Sequence, residues 1–229
     1  MERIYRDKTY RVFRKTDDPL SRVTVINTEE SNIGFIRKDN DFLNEMFRLL
    51  IEDYGFDVDN AAIYYLFDRD PDSNTDSAFI EEMLGKLGSA RDVNPDMMRQ
   101  GMLLLSYPCI ESFIGMNLLD NSLAYCWNKG VQNGHQLKRA LNQDGALANK
   151  ITQETLIKSV EALITALNTA GVNTQEDELL NSLDRFADNN RKVYDWQEEQ
   201  RRQKGGYRLL SLMAIALLDL GLIQSAEDE

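Results

Sequence analysis

Asp68 and Asp70 stand one residue apart, directly after the apolar run Ala61 to Phe67 (AAIYYLF). The run reads as a strand buried on both faces that ends abruptly in Asp68-Arg69-Asp70-Pro71-Asp72-Ser73, delivering polar side chains at its carboxyl end. Side chains two apart on extended backbone point to the same side, so both carboxylates could face one cation. Hard oxygen ligands of this kind suit Mg²⁺, which takes one or two carboxylates, keeps several waters and accepts substrate phosphate for the remainder. In open parallel sheets, ligands collect outside the carboxyl ends of the strands. The pair fits a solvated turn equally, because Pro71-Asp72-Ser73-Asn74 is good turn chemistry.

Other reactive side chains are few. The single histidine, His135, lies in the loop sequence Asn133-Gly134-His135. The two cysteines, Cys109 and Cys126, form neither a disulfide framework nor a Cys/His zinc cluster, and a reducing cytoplasm is the expected compartment. No histidine or basic residue stands near Cys109 in sequence to lower its pKa, so it reads as a small core residue. Arg191 to Arg208 concentrates Arg191, Lys192, Arg201, Arg202, Lys204 and Arg208 with Tyr194, Trp196 and Tyr207. Cations interleaved with aromatics can grip a nucleic-acid backbone and stack on bases, with Arg201, Arg202 and Lys204 the densest group. A solvated helix with Glu198 and Arg202 at i,i+4 explains the stretch as well. Lys129, Lys138 and Arg139 are further phosphate-contact candidates.

The elements that must position these residues change character near residue 105. Thr9 to Phe13 and Arg22 to Asn27 read as short strands. Asp39 to Tyr54 has helical spacing of Phe42, Met46, Leu49 and Leu50 and stops at Gly55. After the Ala61 strand, Ser77 to Leu87 reads as a helix ended by Gly88, and Met102 to Leu105 as another buried strand. Alternation of strand and helix is the order of a parallel α/β sheet. Beyond Pro108, helical periodicity dominates over Glu111 to Leu119, Gln136 to Leu141, Thr152 to Asn168, Glu176 to Phe186 and Tyr207 to Ile223. The most apolar stretch, Leu209 to Ile223, is shorter than the roughly 20 residues of a membrane span and contains Asp219. It reads as a helix buried in protein, no membrane partner is expected, and Met1 to Lys15 lacks the apolar core of a signal peptide.

The segment IYYLFDRDPDS, followed after a helix by LLLSYPCIESFIGMN, resembles the TOPRIM-type nucleases of the RloB group. Those chains carry a hydrophobic strand ending in a D-x-D, here Asp68-Arg69-Asp70. A later short strand leads to a Pro-Cys-Phe-Glu-like element that opens a helix, here Tyr107-Pro108-Cys109-Ile110-Glu111. The stretch from His135 to Leu167 resembles that group's helical tail, so the likeness spans about Ala61 to Leu167. The family's early strand, ending in valine-glutamate-glycine, has its nearest counterpart in Val23 to Glu30 (VTVINTEE), which lacks the glycine.

The resemblance implies a TOPRIM-like parallel-sheet α/β core over residues 1–120 and a helical extension over 121–229 packed on it. It implies Mg²⁺, or Mn²⁺ in its place, on Asp68 and Asp70. Glu30 would do general acid or base work and Glu111 would be a third carboxylate at the site. The implied activity is phosphodiester cleavage in a bacterial defence or restriction system. Glu111, just after Pro108, also suits the opening turn of a helix, where the dipole favours an acid.

The whole-chain arithmetic narrows this. With 26 Lys+Arg against 38 Asp+Glu on 229 residues, the net charge is −12, which excludes a generic basic coat for nucleic acid. An apolar content of 42 % provides for a real core. Nucleic-acid binding is expected to be weak alone and assisted by a protein partner or a second copy. Two other readings use the same residues: a catalytically inactive TOPRIM-like interaction protein acting through its helical half, and a doubly wound phosphotransfer or hydrolase domain with a small phosphate substrate.

Overall fold

The computed structural model describes residues 2–6, 10–14, 16, 22–27, 32–34, 48, 51–52, 55, 61–95, 99–174 and 186–223. Two compact units divide between Ser31 and Asn32. The first holds β1 (Glu2–Arg6), β2 (Tyr10–Arg14) and β3 (Arg22–Ile26), an antiparallel sheet in the order β1-β2-β3. Val12 is buried while its neighbour Arg11 is exposed, the alternation of a strand with one covered face. Both strands expected in this region are present. They pair with each other through Tyr10↔Ile26 to Arg14↔Arg22 and take no place in the sheet of the second unit.

That second sheet is mixed, not all-parallel. It contains β4 (Tyr64–Asp68), β5 (Gly88–Asn94), β6 (Arg99–Tyr107) and the two-residue β7 (Leu210–Ser211). β6 is central: it runs parallel to β4 from Tyr64↔Met102 to Asp68↔Ser106, and antiparallel to β5 and to β7. Between the stretches taken by β5 and β7, the Leu103 carbonyl accepts from Asn190 Nδ2 at 2.6 Å, so a helix side chain fills the break in the ladder. The strand buried on both faces is β6, whose residues Met102 to Tyr107 are all buried. β4 instead alternates: Tyr65 and Phe67 face the core and Leu66 is 38 % exposed.

Seven α-helices complete the described residues. α1 (Ser77–Lys86), capped by Asp76 accepting from Phe79 N–H, connects β4 to β5. α2 (Ser112–Leu118), α3 (Tyr125–Lys129), α4 (Gly134–Gln143), α5 (Gln153–Thr169) and α6 (Phe186–Lys204) follow β6. Asn133 caps α4 by accepting from Gln136 N–H, and Thr152 and Thr155 form a reciprocal capping box on α5. The helices and the mixed sheet share one apolar core.

The apolar stretch after Tyr207 is not a continuous helix. Leu210–Ser211 pairs with β6, because the Tyr107 end of β6 has an open edge there, and only α7 (Met213–Asp219) is helical. Asp219 is accounted for: both oxygens meet the Arg91 guanidinium, at 3.2 and 2.7 Å, and Tyr64 OH donates to it. Among the described residues no helix is long and apolar enough to cross a membrane. Of the helix expected over 39–54, Arg48, Ile51 and Glu52 are helical and Gly55, at φ +58°, donates its N–H to Ile51 O. The remainder of that segment, and most of the one expected over 176–186, lie outside the described residues.

Candidate functional site

Parallel pairing puts the carboxyl ends of β4 and β6 side by side, with Asp68 opposite Ser106. The chain leaves β6 through a cis Tyr107–Pro108 bond and turns back over the end of β4. There the Ile110 N–H donates to Asp68 Oδ1 at 2.7 Å. Asp68 and Glu111, 43 positions apart, therefore come close enough to feel each other's charge. Burial, helped by Glu111 and Asp70, pushes the Asp68 carboxyl up to about 6 against the opposing pull of the Ile110 N–H.

Glu111 stands just before α2. Its Oε1 meets Lys138 Nζ on α4 at 3.3 Å, while Oε2 is buried with no N–H or O–H partner. Against this carboxylate lies the thiol of Cys109, 1 % exposed. Burial and the Glu111 and Asp68 charges raise the Cys109 pKa well above the ordinary thiol range. It is a protonated core thiol, not a nucleophile. Lys138 remains a firm cation: burial works against its charge, but the Glu111 carboxylate outweighs that and raises its pKa.

Asp70 and Asp72 take different partners. Asp70 Oδ1 accepts the Asp72 N–H at 3.2 Å, an Asx turn, and Asn133 Nδ2 donates to Asp72 Oδ2 at 2.8 Å. The amino end of α4 thus faces the acidic loop with its positive dipole end. Gly134 comes close to both: a Cβ there would stand 3.0 Å from Asp70 Oδ2 and 3.0 Å from Cys109 Cβ. His135 is exposed in the first turn of α4, with Nε2 3.5 Å from Arg139. It lies on a helix, not in the loop its sequence suggested.

Arg69, between the two aspartates, points the other way. It continues the inward parity of Tyr65 and Phe67 and is 1 % exposed. Its Nε meets Glu198 of α6 at 2.8 Å, its Nη1 donates to Asn74 O at 2.9 Å, and its guanidinium lies 5.6 and 5.7 Å from the rings of Tyr194 and Tyr207. Tyr207 OH donates to Glu198 at 2.8 Å, and the Tyr107 ring meets the Tyr207 ring edge-on at 5.5 Å. Asn74 ties off the loop, donating to Asp68 O at 2.8 Å and accepting from Ile33 N–H at 2.8 Å. The strand end that carries Asp68 and Asp70 is therefore pinned from beneath by a buried charge network.

Of the residues singled out from sequence, Asp68, Asp70 and Glu111 meet at one end of the sheet, and Lys138 joins them. Glu30 lies outside the described residues. Arg201, Arg202 and Lys204 occupy the last turn of α6, where Arg202 pairs with Glu199 and Arg201 lies 5.8 Å from the Tyr207 ring. Among the described residues no group of three or more His, Cys, Asp or Glu side chains is set to hold an ion together. Mg²⁺ asks less than that, since one or two carboxylates with water and phosphate suffice. Asp68 and Glu111, one of whose oxygens has no N–H or O–H partner, fit that requirement. Comparison with protein-family models, curated proteins and solved structures returns no match for this chain.

Proposed function

We propose that the chain is a metal-dependent phosphodiesterase acting on nucleic acid, a divergent TOPRIM-like nuclease resembling the RloB group, with the defence or restriction role that this resemblance implies. The observation that carries the reading is that Glu111, whose buried Oε2 lacks an N–H or O–H partner, lies near enough to Asp68 for their charges to interact, beyond the carboxyl ends of parallel strands. Asp68 and Glu111 would hold Mg²⁺ or Mn²⁺, with Asp70 beside them. When bound, the ion supplies Lewis-acid polarisation of a phosphate oxygen. The Ile110 N–H fixes the orientation of Asp68, Lys138 offers a point charge to a substrate phosphate, and the Arg69 network holds the strand end in place. Binding of substrate is weak and assisted by a partner subunit or a second copy, as the net charge of −12 suggests.

A second reading, an inactive interaction protein, is favoured by Lys138 and the amino end of α4, which together already offset the acidic cluster without a metal. The two part in a cleavage assay on a labelled single-stranded oligonucleotide with Mg²⁺ or Mn²⁺ and, separately, with EDTA. The phosphodiesterase reading expects metal-dependent cleavage that falls at least a hundredfold, about 2.7 kcal/mol of transition-state stabilisation, in Glu111→Gln. Cleavage unaltered by that substitution, or none from wild type with either metal, supports the inactive reading.

A further inference from the structure

At the carboxyl end of α6, three cations gather without carboxylate partners. Among the described residues, Arg201, Lys204 and Arg208 have none, although Arg202 and Arg69 nearby are both paired. Their contacts are aromatic: Arg208 lies 4.0 Å and Lys204 6.0 Å from the Trp127 ring, and Arg201 5.8 Å from that of Tyr207. Arg208 is half-buried, and its Nε is buried with no acceptor. A guanidinium keeps its charge at any ordinary pH, so a desolvated one without an anion is costly. The α6 dipole accounts for Arg201 and Lys204 in the last turn. It does not account for Arg208, which lies beyond the helix.

Of these cations Lys204 lines a small open cleft with Trp127, Val131, Gln132, Gly205 and Gly206, and Arg208 adjoins it through the Trp127 ring. Its floor is shaped by close backbone approach: a Cβ on Gly206 would stand 2.6 Å from Val131 O, and Trp127 Nε1 donates to Gly206 O at 2.8 Å. From Gln132 the chain continues into residues that touch the acidic loop. Asn133 bonds Asp72 and Gly134 abuts Asp70, and two residues of extended chain span at most about 7 Å. The densest basic segment, distant from Asp68 in sequence, adjoins the acidic site in space.

We infer that Trp127, Lys204 and Arg208 form an anchoring subsite for a backbone phosphate of a polynucleotide whose next phosphodiesters reach Asp68 and Glu111. The inference rests on the phosphodiesterase reading for its substrate class, and its test does not need cleavage. The probe is a fluorescent single-stranded oligonucleotide, titrated with the full chain in EDTA at low salt. Wild type is expected to bind with an affinity that declines as salt rises. Lys204→Glu, at an exposed position, and Arg208→Gln should each weaken binding at least tenfold with the thermal transition retained. Unchanged affinity in both variants, or no binding by wild type, overturns the subsite. Displacement of the oligonucleotide by an equal concentration of inorganic phosphate overturns the polynucleotide assignment in favour of a small phosphate ligand. Binding that depends on Lys204 but is followed by no cleavage with metal leaves the subsite standing and fails the phosphodiesterase reading alone.

Discussion

Asp68 holds its proton more tightly in the folded chain, at about 6, than a free aspartate does at about 3.9. Between those values the folded state binds more protons than the unfolded one, so stability falls as pH rises from about 4 through 6. The contribution is fully present below the unfolded value and gone above the folded one. Asp68→Asn keeps an oxygen for the Ile110 N–H and removes the charge. It should stabilise the metal-free protein at pH 8 by about 1–2 kcal/mol after allowance for solvent screening, and by little at pH 4. Urea unfolding at the two pH values checks this; equal gains at both would contradict it. The opposite sign belongs to Arg69. Arg69→Ala leaves Glu198 and the Asn74 carbonyl without their cation and should cost about 3–5 kcal/mol, as for other buried pairs broken on one side. Replacing both partners, Arg69→Met with Glu198→Gln, should recover part of that loss in the same measurement.

The element that meets the acidic loop is α4, and its first turn can be probed without touching a carboxylate. Asn133→Ala removes both the cap and the bond to Asp72, a loss of about 1 kcal/mol from the cap alone. Gly134→Ala would gain about 1 kcal/mol on helix propensity. The 3.0 Å approaches to Asp70 and Cys109 should reverse that gain, lower the melting temperature and reduce any rise produced by Mn²⁺. A melting temperature raised by the alanine would show that the close approach relaxes freely. Periodicity makes much of this scaffold legible: the β4 and β6 strands, α1, α2, α4 and α5 all follow from apolar spacing and caps in the sequence. β5, with the sequence GSARDVN, carries no apolar signal because its pairing comes from β6. β7 hides in a stretch whose hydrophobicity suits a helix equally, and only the open edge of β6 decides it. Of the candidate site, Asp68, Asp70 and Lys138 are candidates from the residues and Glu111 from the resemblance, but no local pattern tells which of them come together. Arg69 could have been found by continuing the parity of Tyr65 and Phe67, whereas the meeting of Lys138 with Glu111 and of Arg208 with Trp127 depends on long-range packing that no local pattern records.

Across the whole molecule, charge is arranged, not merely abundant. A net −12 opposes polyanion binding at long range, yet two places could invert the local sign: the carboxylate site, were it to hold a divalent cation, and the Trp127 ring, beside which Lys204 and Arg208 lie. Gln132 to Gly134 link the two places along the chain, and the proposed function would join them into one surface for a phosphodiester backbone. The phosphodiesterase reading depends on the first place accepting a metal. Calorimetric titration of the full chain with Mn²⁺ at pH 7.5 tests that directly, with Asp68→Asn and Glu111→Gln alongside. A metal site on Asp68 and Glu111 gives a saturable heat in wild type that either substitution abolishes. No saturable heat up to millimolar metal, or the same heat in both variants as in wild type, would contradict it.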